Sequence, residues 1–260
     1  MLIVTLVYVL PVLWVVNTSF RFDFDTLSYP PRLFSKLTLT NYQTAFRDHD
    51  VQVNLKNSII ISISASSLAL FLGVPCAYAL SRFKFRGNST IYLGLMSILI
   101  APIMLTLIPV FIWSRQLGVF DRVWLLVLMN TMTNTIWTVW MMRTFFDEVS
   151  SEIDEAALVD GCNRFSCLVF IILPLSKPGL AATLIFCLIA TWNDYFVALI
   201  LSNVRAATLP MMLNTFISIY GLRWGEMCAA ATLIMLPVLI FVSFQQKHLI
   251  KGLTMGAVKG

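Results

Sequence analysis

Six stretches of roughly 20 mostly apolar residues divide the chain, each long enough to cross the hydrocarbon core of a bilayer as a helix. They run over about 1–20, 57–80, 90–113, 123–142, 179–202 and 226–244. In lipid no water satisfies the backbone, so a spanning segment has to pair its own polar groups, and a helix does this within one segment. The expectation is an all-α polytopic membrane protein with six transmembrane helices. Composition agrees, because 58% of the 260 residues are apolar and only 12% are charged. A soluble domain carries about twice that share of charge, so water could not be the solvent for most of this chain. Residues 1–20 lack the basic start and the small-residue cleavage site of a signal peptide and are read as a retained span, although Pro11 lies within it.

A net charge of +5 invites a nucleic-acid reading, but the Lys and Arg residues fall in short loops between spans and form no basic face or arm. Cys76, Cys162, Cys167, Cys187 and Cys228 form no CxxC pair and read as small hydrophobes, with no disulfide expected. His49 and His248 are far apart, so no metal site is expected.

The loops differ in character. Residues 21–56 are long and polar, with Tyr29-Pro30-Pro31 followed by a stretch in which Thr40 or Asn41 could cap a short surface helix. Residues 81–88 are short and basic, with Arg82, Lys84 and Arg86 and no acid. Residues 114–122 make a tight turn, and 143–178 are mixed in charge and helix-forming. A second outer loop, 203–225, contains an apolar stretch over 209–220 that is too short to span. With 143–178 inside, the Lys and Arg residues divide nine inside and nine outside. The short basic loop 81–88 decides the orientation, since Asp23, Asp25, Asp48 and Asp50 dilute the positives of the first outer loop; both termini are expected in the cytoplasm.

The most informative segment is 143–178. It reads Glu155-Ala156-Ala157, three residues, Gly161, nine residues, then Ile171-Ile172-Leu173-Pro174. Ser150 or Ser151 can cap a helix whose first turns contain Glu152, Asp154 and Glu155, where the helix dipole favours acids. Ala156 and Ala157 leave a narrow surface for close approach, and Gly161 ends or turns the helix because glycine reaches positive φ without strain. Pro174 and Pro178 re-aim the chain into the fifth span. By composition alone this could be an ordinary amphipathic loop; the fixed spacing of seven defined positions argues against that.

This pattern resembles the coupling loop of permease subunits in ABC importers, and the likeness extends over nearly the whole chain. Asn41-Tyr42 with Phe46, Asn57-Ser58, Ala77-Tyr78-Ala79, the run 82–87, Trp192-Asn193-Asp194 and the ending Gly256-Ala257-Val258-Lys259-Gly260 are similar to the second permease of carbohydrate importers of the maltose type. The resemblance implies the type I ABC importer permease fold in a bacterial cytoplasmic (inner) membrane. It implies a non-catalytic subunit that pairs with a second homologous permease, docks two ATPase subunits that bind ATP and Mg, and receives a carbohydrate from an extracytoplasmic solute-binding protein. This chain itself has no GxxxxGK[ST] phosphate loop, and no cofactor is expected in it. Glu155, Ala156, Ala157, Asp160, Gly161, Leu173 and Pro174 would form the ATPase-coupling element, with Gly256 and Lys259 of the tail as further contacts. The chain then divides into 1–56, the first helix with its outer loop, and 57–260, a five-helix core with the cytoplasmic loop 143–178 and the tail 245–260. Such permeases have a short charged tail before the first span, and a trimmed or unusually short start is the expectation here.

Charged and amide side chains within spans are costly and mark a cavity or a partner helix. Asp194 is the clearest case; Asn130, Asn134, Trp192 and Asn193 join it as translocation-pathway candidates, since aromatic faces with nearby amides suit sugars. The competing reading is that Asn193 and Asp194 join helices or cap a break in the fifth span. A secondary transporter using Asp194 is the rival function from another class, and a polyol or glycerol-phosphate importer is the rival within the class. ATP dependence separates the first pair.

Overall fold

A computed structural model describes residues 2–26, 28, 36–48, 50–218 and 221–255. Its long helices are α1 (Leu2–Ser19), α2 (Thr40–Asp48), α3 (Val51–Arg82), α4 (Asn88–Ile100), α5 (Ile103–Gln116), α6 (Val123–Glu148), α7 (Ser151–Val159), α8 (Arg164–Leu175), α9 (Lys177–Trp192), α10 (Phe196–Leu201) and α11 (Trp224–Met255). Among the described residues the only β structure is one antiparallel pairing of Ile217–Ser218 with Gly221–Leu222.

Each expected apolar stretch is helical, but the helices do not all end where hydropathy predicts. The second begins at Val51 rather than 57, because Val51 is buried and packs with Ala45, Leu209 and Phe216. The third is broken at Ala101-Pro102 into α4 and α5, bent by 83°. Pro102 has no N–H to donate and pushes Ala101 out of the helical region, to φ −65 and ψ 133. The fifth stops at Trp192 and resumes as α10 at Phe196. The sixth continues as helix to Met255, into the expected tail. By length and composition α3 qualifies alone as a crossing, and the bent pairs α4–α5 and α8–α9 each qualify together; Thr5–Ser19 and Trp224–Ile240 are shorter apolar helices. Helix α6 is long enough at 26 residues, but its Asn and Thr residues dilute its hydropathy.

Helices α3, α6 and α9 form the centre, with polar side chains buried between them and large apolar ones facing out. Ser58, Ser62, Ser66, Thr131, Asn134, Thr138, Thr183 and Thr191 are buried, while Ile63, Phe71, Leu128 and Met132 are exposed. That inversion suits a hydrocarbon solvent, in which helices associate through close packing and interhelical hydrogen bonds. Small residues allow the approach: a Cβ on Gly73 would lie 2.6 Å from Thr138 Cγ2 and 3.1 Å from the Thr135 carbonyl oxygen. In the loop that follows α1, Thr38 rather than Thr40 or Asn41 supplies the side-chain cap, accepting from the Thr40 N–H at 3.1 Å. Asn41 instead donates to the carbonyls of Ser19 and Arg21 and fastens α2 to the end of α1.

Candidate functional site

Helix α7 hangs at the end of the bundle where α3 and α6 finish. The Ser150 side chain accepts from the Glu152 N–H at 3.3 Å and caps it, and Glu152 and Asp154 occupy its first turn. Gly161 follows with φ +89, a conformation that costs other L-residues about 1–2 kcal/mol. The Gly161 and Cys162 N–H groups then bond the Leu158 and Ala157 carbonyls, closing the helix end. Within the motif, Glu155, Ala156, Asp160 and Gly161 face outward, whereas Ala157 is buried. Leu173 is half-buried and Pro174 exposed at the end of α8. That helix widens into a π turn over Leu168–Ile172, which makes room for the Pro174 ring against the preceding turn. Val159, Phe165 and Phe170, 88%, 71% and 74% exposed, give the same end of the protein an apolar surface.

The underside of α7 holds residues that the motif did not single out. Asp154 is 2% exposed and lies 2.9 Å from Arg82 Nε as an ion pair. Its other oxygen accepts from the Tyr78 hydroxyl at 2.5 Å and from the Cys167 thiol at 3.6 Å. Arg82 also donates to the Val149 carbonyl at 2.8 Å, and Ser81 donates to Asp147 at 2.5 Å. Around these groups pack Val74, Ala77, Met142, Phe146, Ala157, Leu168 and Ile172. The available signal was spacing: Asp154 and Ala157 lie three residues apart and therefore share a helix face.

The five intramembrane candidates separate. Asn130 donates to Asp194 at 3.0 Å, and Asp194 accepts from the Val197 N–H at 3.3 Å, so it caps α10 as well as joining α6. Asn134 is buried and donates to Thr191 Oγ1 at 2.7 Å, between α6 and α9. Trp192 is buried and donates to the Ile234 carbonyl at 3.0 Å, fastening α9 to α11. Asn193 is exposed and bonds the Ile189 carbonyl of its own helix. A cavity of about 710 Å³, lined by residues including Trp113, Trp124, Met132, Thr133 and Trp137, opens between α4, α5 and α6. None of the five candidates lines it. Gly256 and Lys259 lie outside the described residues.

At the opposite end of the bundle, loop 202–208 is held from two sides. The Asp121 carboxylate accepts from the N–H groups of Asn203, Val204, Arg205 and Ala206 at 2.9, 3.2, 3.0 and 2.9 Å. Asn57 donates to the carbonyls of Arg205 and Ala207, both at 2.9 Å, and Ser58 accepts from the Leu209 N–H at 2.9 Å.

Residues 67–255 match the family described as binding-protein-dependent transport system inner membrane component. The diacetylchitobiose uptake system permease protein DasC of Streptomyces coelicolor is 32% identical over 97% of this chain and 92% of its own length. The trehalose/maltose transport system permease protein MalG of Thermococcus litoralis is 30% identical over 100% and 94%. Among solved structures, a chain of a bacterial ABC transporter involved in import of the acidic polysaccharide alginate superposes with a TM-score of 0.75 at 23% identity, covering 94% of this chain and 92% of that one. This likeness establishes the ABC importer permease fold.

Proposed function

Since the chain belongs to the family of binding-protein-dependent transport system inner membrane components, we propose that it is the permease subunit of a sugar or oligosaccharide importer, driven by ATP hydrolysed on partner subunits. Members of the family are membrane components of importers; the chemistry of ATP lies outside them. The sugar class is supported by the two relatives named for diacetylchitobiose and for trehalose and maltose.

The observation that carries the reading is the outward face of α7. Glu155 and Ala156 stand exposed on a short helix capped by Ser150 and closed at Gly161, inside a motif of fixed spacing. A narrow, rigid, acidic-tipped helix fits a groove on a soluble motor and would be moved by it as a body. In this reading Glu155, Ala156, Asp160 and Gly161 form the contact, Ala157 seats the helix, and Leu173 and Pro174 set the course of the chain back into the membrane. Gly256 and Lys259 at the chain's end would add a second contact with the ATPases.

The six apolar stretches are six crossings in this reading, with both termini and 143–178 in the cytoplasm. The first helix and its loop, 1–56, flank a five-helix core. A second homologous permease completes the pathway, two ATPase subunits bind ATP and Mg beneath, and a solute-binding protein delivers sugar from outside. Asn130 and Asp194, which meet between α6 and α10, are the pathway residues best positioned to exchange an internal hydrogen bond for one to a hydroxyl.

The test is purification of the tagged protein from native membranes in mild detergent, followed by reconstitution into liposomes. A co-purifying ATPase and second permease, with sugar uptake that needs ATP inside and binding protein outside, would establish the reading. Uptake that proceeds without ATP, with no ATPase in the preparation, would end it.

A further inference from the structure

The coupling helix and the outer loop are tied to opposite ends of one helix. Helix α3 is continuous over 32 residues, through Pro75, and is about 48 Å long at 1.5 Å per residue. At its lower end Tyr78 and Arg82 hold Asp154 of α7, and Arg82 also holds the Val149 carbonyl just before α7 begins. At its upper end Asn57 and Ser58 hold the backbone of residues 205–209 through three hydrogen bonds. Between the two, Gly73 lets α3 lie against α6 so closely that a Cβ would overlap Thr138.

We infer that Asp154, held by Tyr78, Arg82 and Cys167, is the joint through which movement of α7 is passed to α3 and along it to the outer loop 205–209. The inference rests on the proposed role of α7 as a docking helix, and it concerns the buried side of that helix rather than the side a partner would touch. Asp154 is a positioning residue: it is 2% exposed and cannot itself reach an ATPase. A packed apolar contact could slide when α7 is pushed. An ion pair and two hydrogen bonds converging on one carboxylate give a defined direction, because leaving any of those groups unpaired in a buried site is costly. Movement of the joint is therefore movement of Tyr78 and Arg82, one helical turn apart on α3.

The joint is tested in the reconstituted importer with Asp154→Asn, Tyr78→Phe and the double variant, each measured for ATPase retained on the permease and for sugar imported per ATP hydrolysed. Tyr78→Phe keeps the ring and removes only the hydroxyl, so it reports even where Asp154→Asn folds poorly. The expected result is unchanged ATPase retention, a loss of about tenfold in import per ATP for Asp154→Asn, a smaller loss for Tyr78→Phe, and a double variant no worse than Asp154→Asn. A Val204→Cys label on the outer loop, read against the parent chain labelled in parallel, should respond to ATP binding in the wild-type background and fall silent with either substitution. Unchanged import per ATP, additive losses in the double variant, or an outer-loop label that still responds would overturn the joint. Absence of any ATPase on the wild-type permease is a different failure, that of the docking reading itself.

Discussion

Ala206 and Asp121, 85 residues apart, are joined by a 2.9 Å hydrogen bond in which the Ala206 N–H donates to the carboxylate. Three further N–H groups, from Asn203, Val204 and Arg205, converge on the same side chain. Burial alone would raise the carboxyl pKa, but the four donors outweigh it and hold Asp121 below its ordinary value of 3.8. A folded pKa below the unfolded one gives stability that is complete above the unfolded value and lost as pH falls through the folded value. Amide protection of residues 203–206 should therefore be constant through neutral pH and fall only below about pH 4. Hydrogen exchange, corrected for intrinsic rates, checks this; full protection well below that range would mean the carboxylate does not clasp the loop. Asp121→Asn should loosen the same amides at every pH.

Helix α7 offers a second expectation. Glu155 and Ala156 are exposed, so Ala156→Asp should leave the amount of permease in the membrane unchanged. If this face seats a partner, the added charge has to be desolvated or excluded, and ATPase retained after washing should fall at least about tenfold, a change of about 1.4 kcal/mol. Gly161→Ala acts differently. Nothing lies within 4 Å of the added methyl, so the only cost is the positive φ, about 1–2 kcal/mol. It should lower import several-fold with less effect on retention. Equal retention in wild type and Ala156→Asp would remove this face from the docking surface.

The legible and the hidden parts of this protein divide by range. The end of α7 could be read at Gly161 because a positive φ is a local demand that glycine meets alone. The apolar stretches could be read because lipid imposes their length. The break at Ala101-Pro102 could not, since Pro75, Pro109 and Pro237 lie within continuous helices and a proline in an apolar stretch does not by itself mark a turn. Asp154 looked like one more acid in a first turn; its partners Tyr78, Arg82 and Cys167 lie 76, 72 and 13 residues away, and only the fold brings them together. Asn134 and Trp192 illustrate the same limit. A polar group in an apolar stretch has one appearance in sequence whether it faces a cavity or, as here, the Thr191 hydroxyl and the Ile234 carbonyl.

Packing between α3 and α6 supplies a third expectation. Gly73→Val would place methyl groups where Thr138 and the Thr135 carbonyl already lie, and overpacking of this kind costs about 1–3 kcal/mol. The thermal midpoint of the detergent-solubilised protein should drop. Ser62→Ala is the control, since Ser62 Oγ is buried and makes no hydrogen bond among the described residues; its removal should be neutral or slightly stabilising. Similar midpoints for Gly73→Val and wild type would mean the two helices are less closely fitted than this.

Asp194 separates a structural from a transporting role. Its two oxygens are used differently: one accepts from the Val197 N–H at the start of α10, the other from Asn130 on α6. Asp194→Ala removes both bonds, and loss of a helix cap alone costs about 0.5–2 kcal/mol. Asp194→Asn keeps an oxygen for the Val197 N–H but turns an amide NH₂ toward the Asn130 NH₂, so it weakens the α6 contact and spares the cap. If the residue only caps and joins helices, the midpoint should fall in the order wild type, Asn, Ala, and sugar import should track the folded amount with an unchanged KM. If the carboxylate also exchanges Asn130 for a sugar hydroxyl, Asp194→Asn should raise the KM by several-fold at near-normal stability, because the lost interaction is one made with substrate. A third pattern belongs to an ion-coupled carrier centred on this acid: uptake independent of ATP, abolished by Asp194→Asn, and sensitive to the ion gradient. Measuring KM, midpoint and ATP dependence on the same three proteins decides among them.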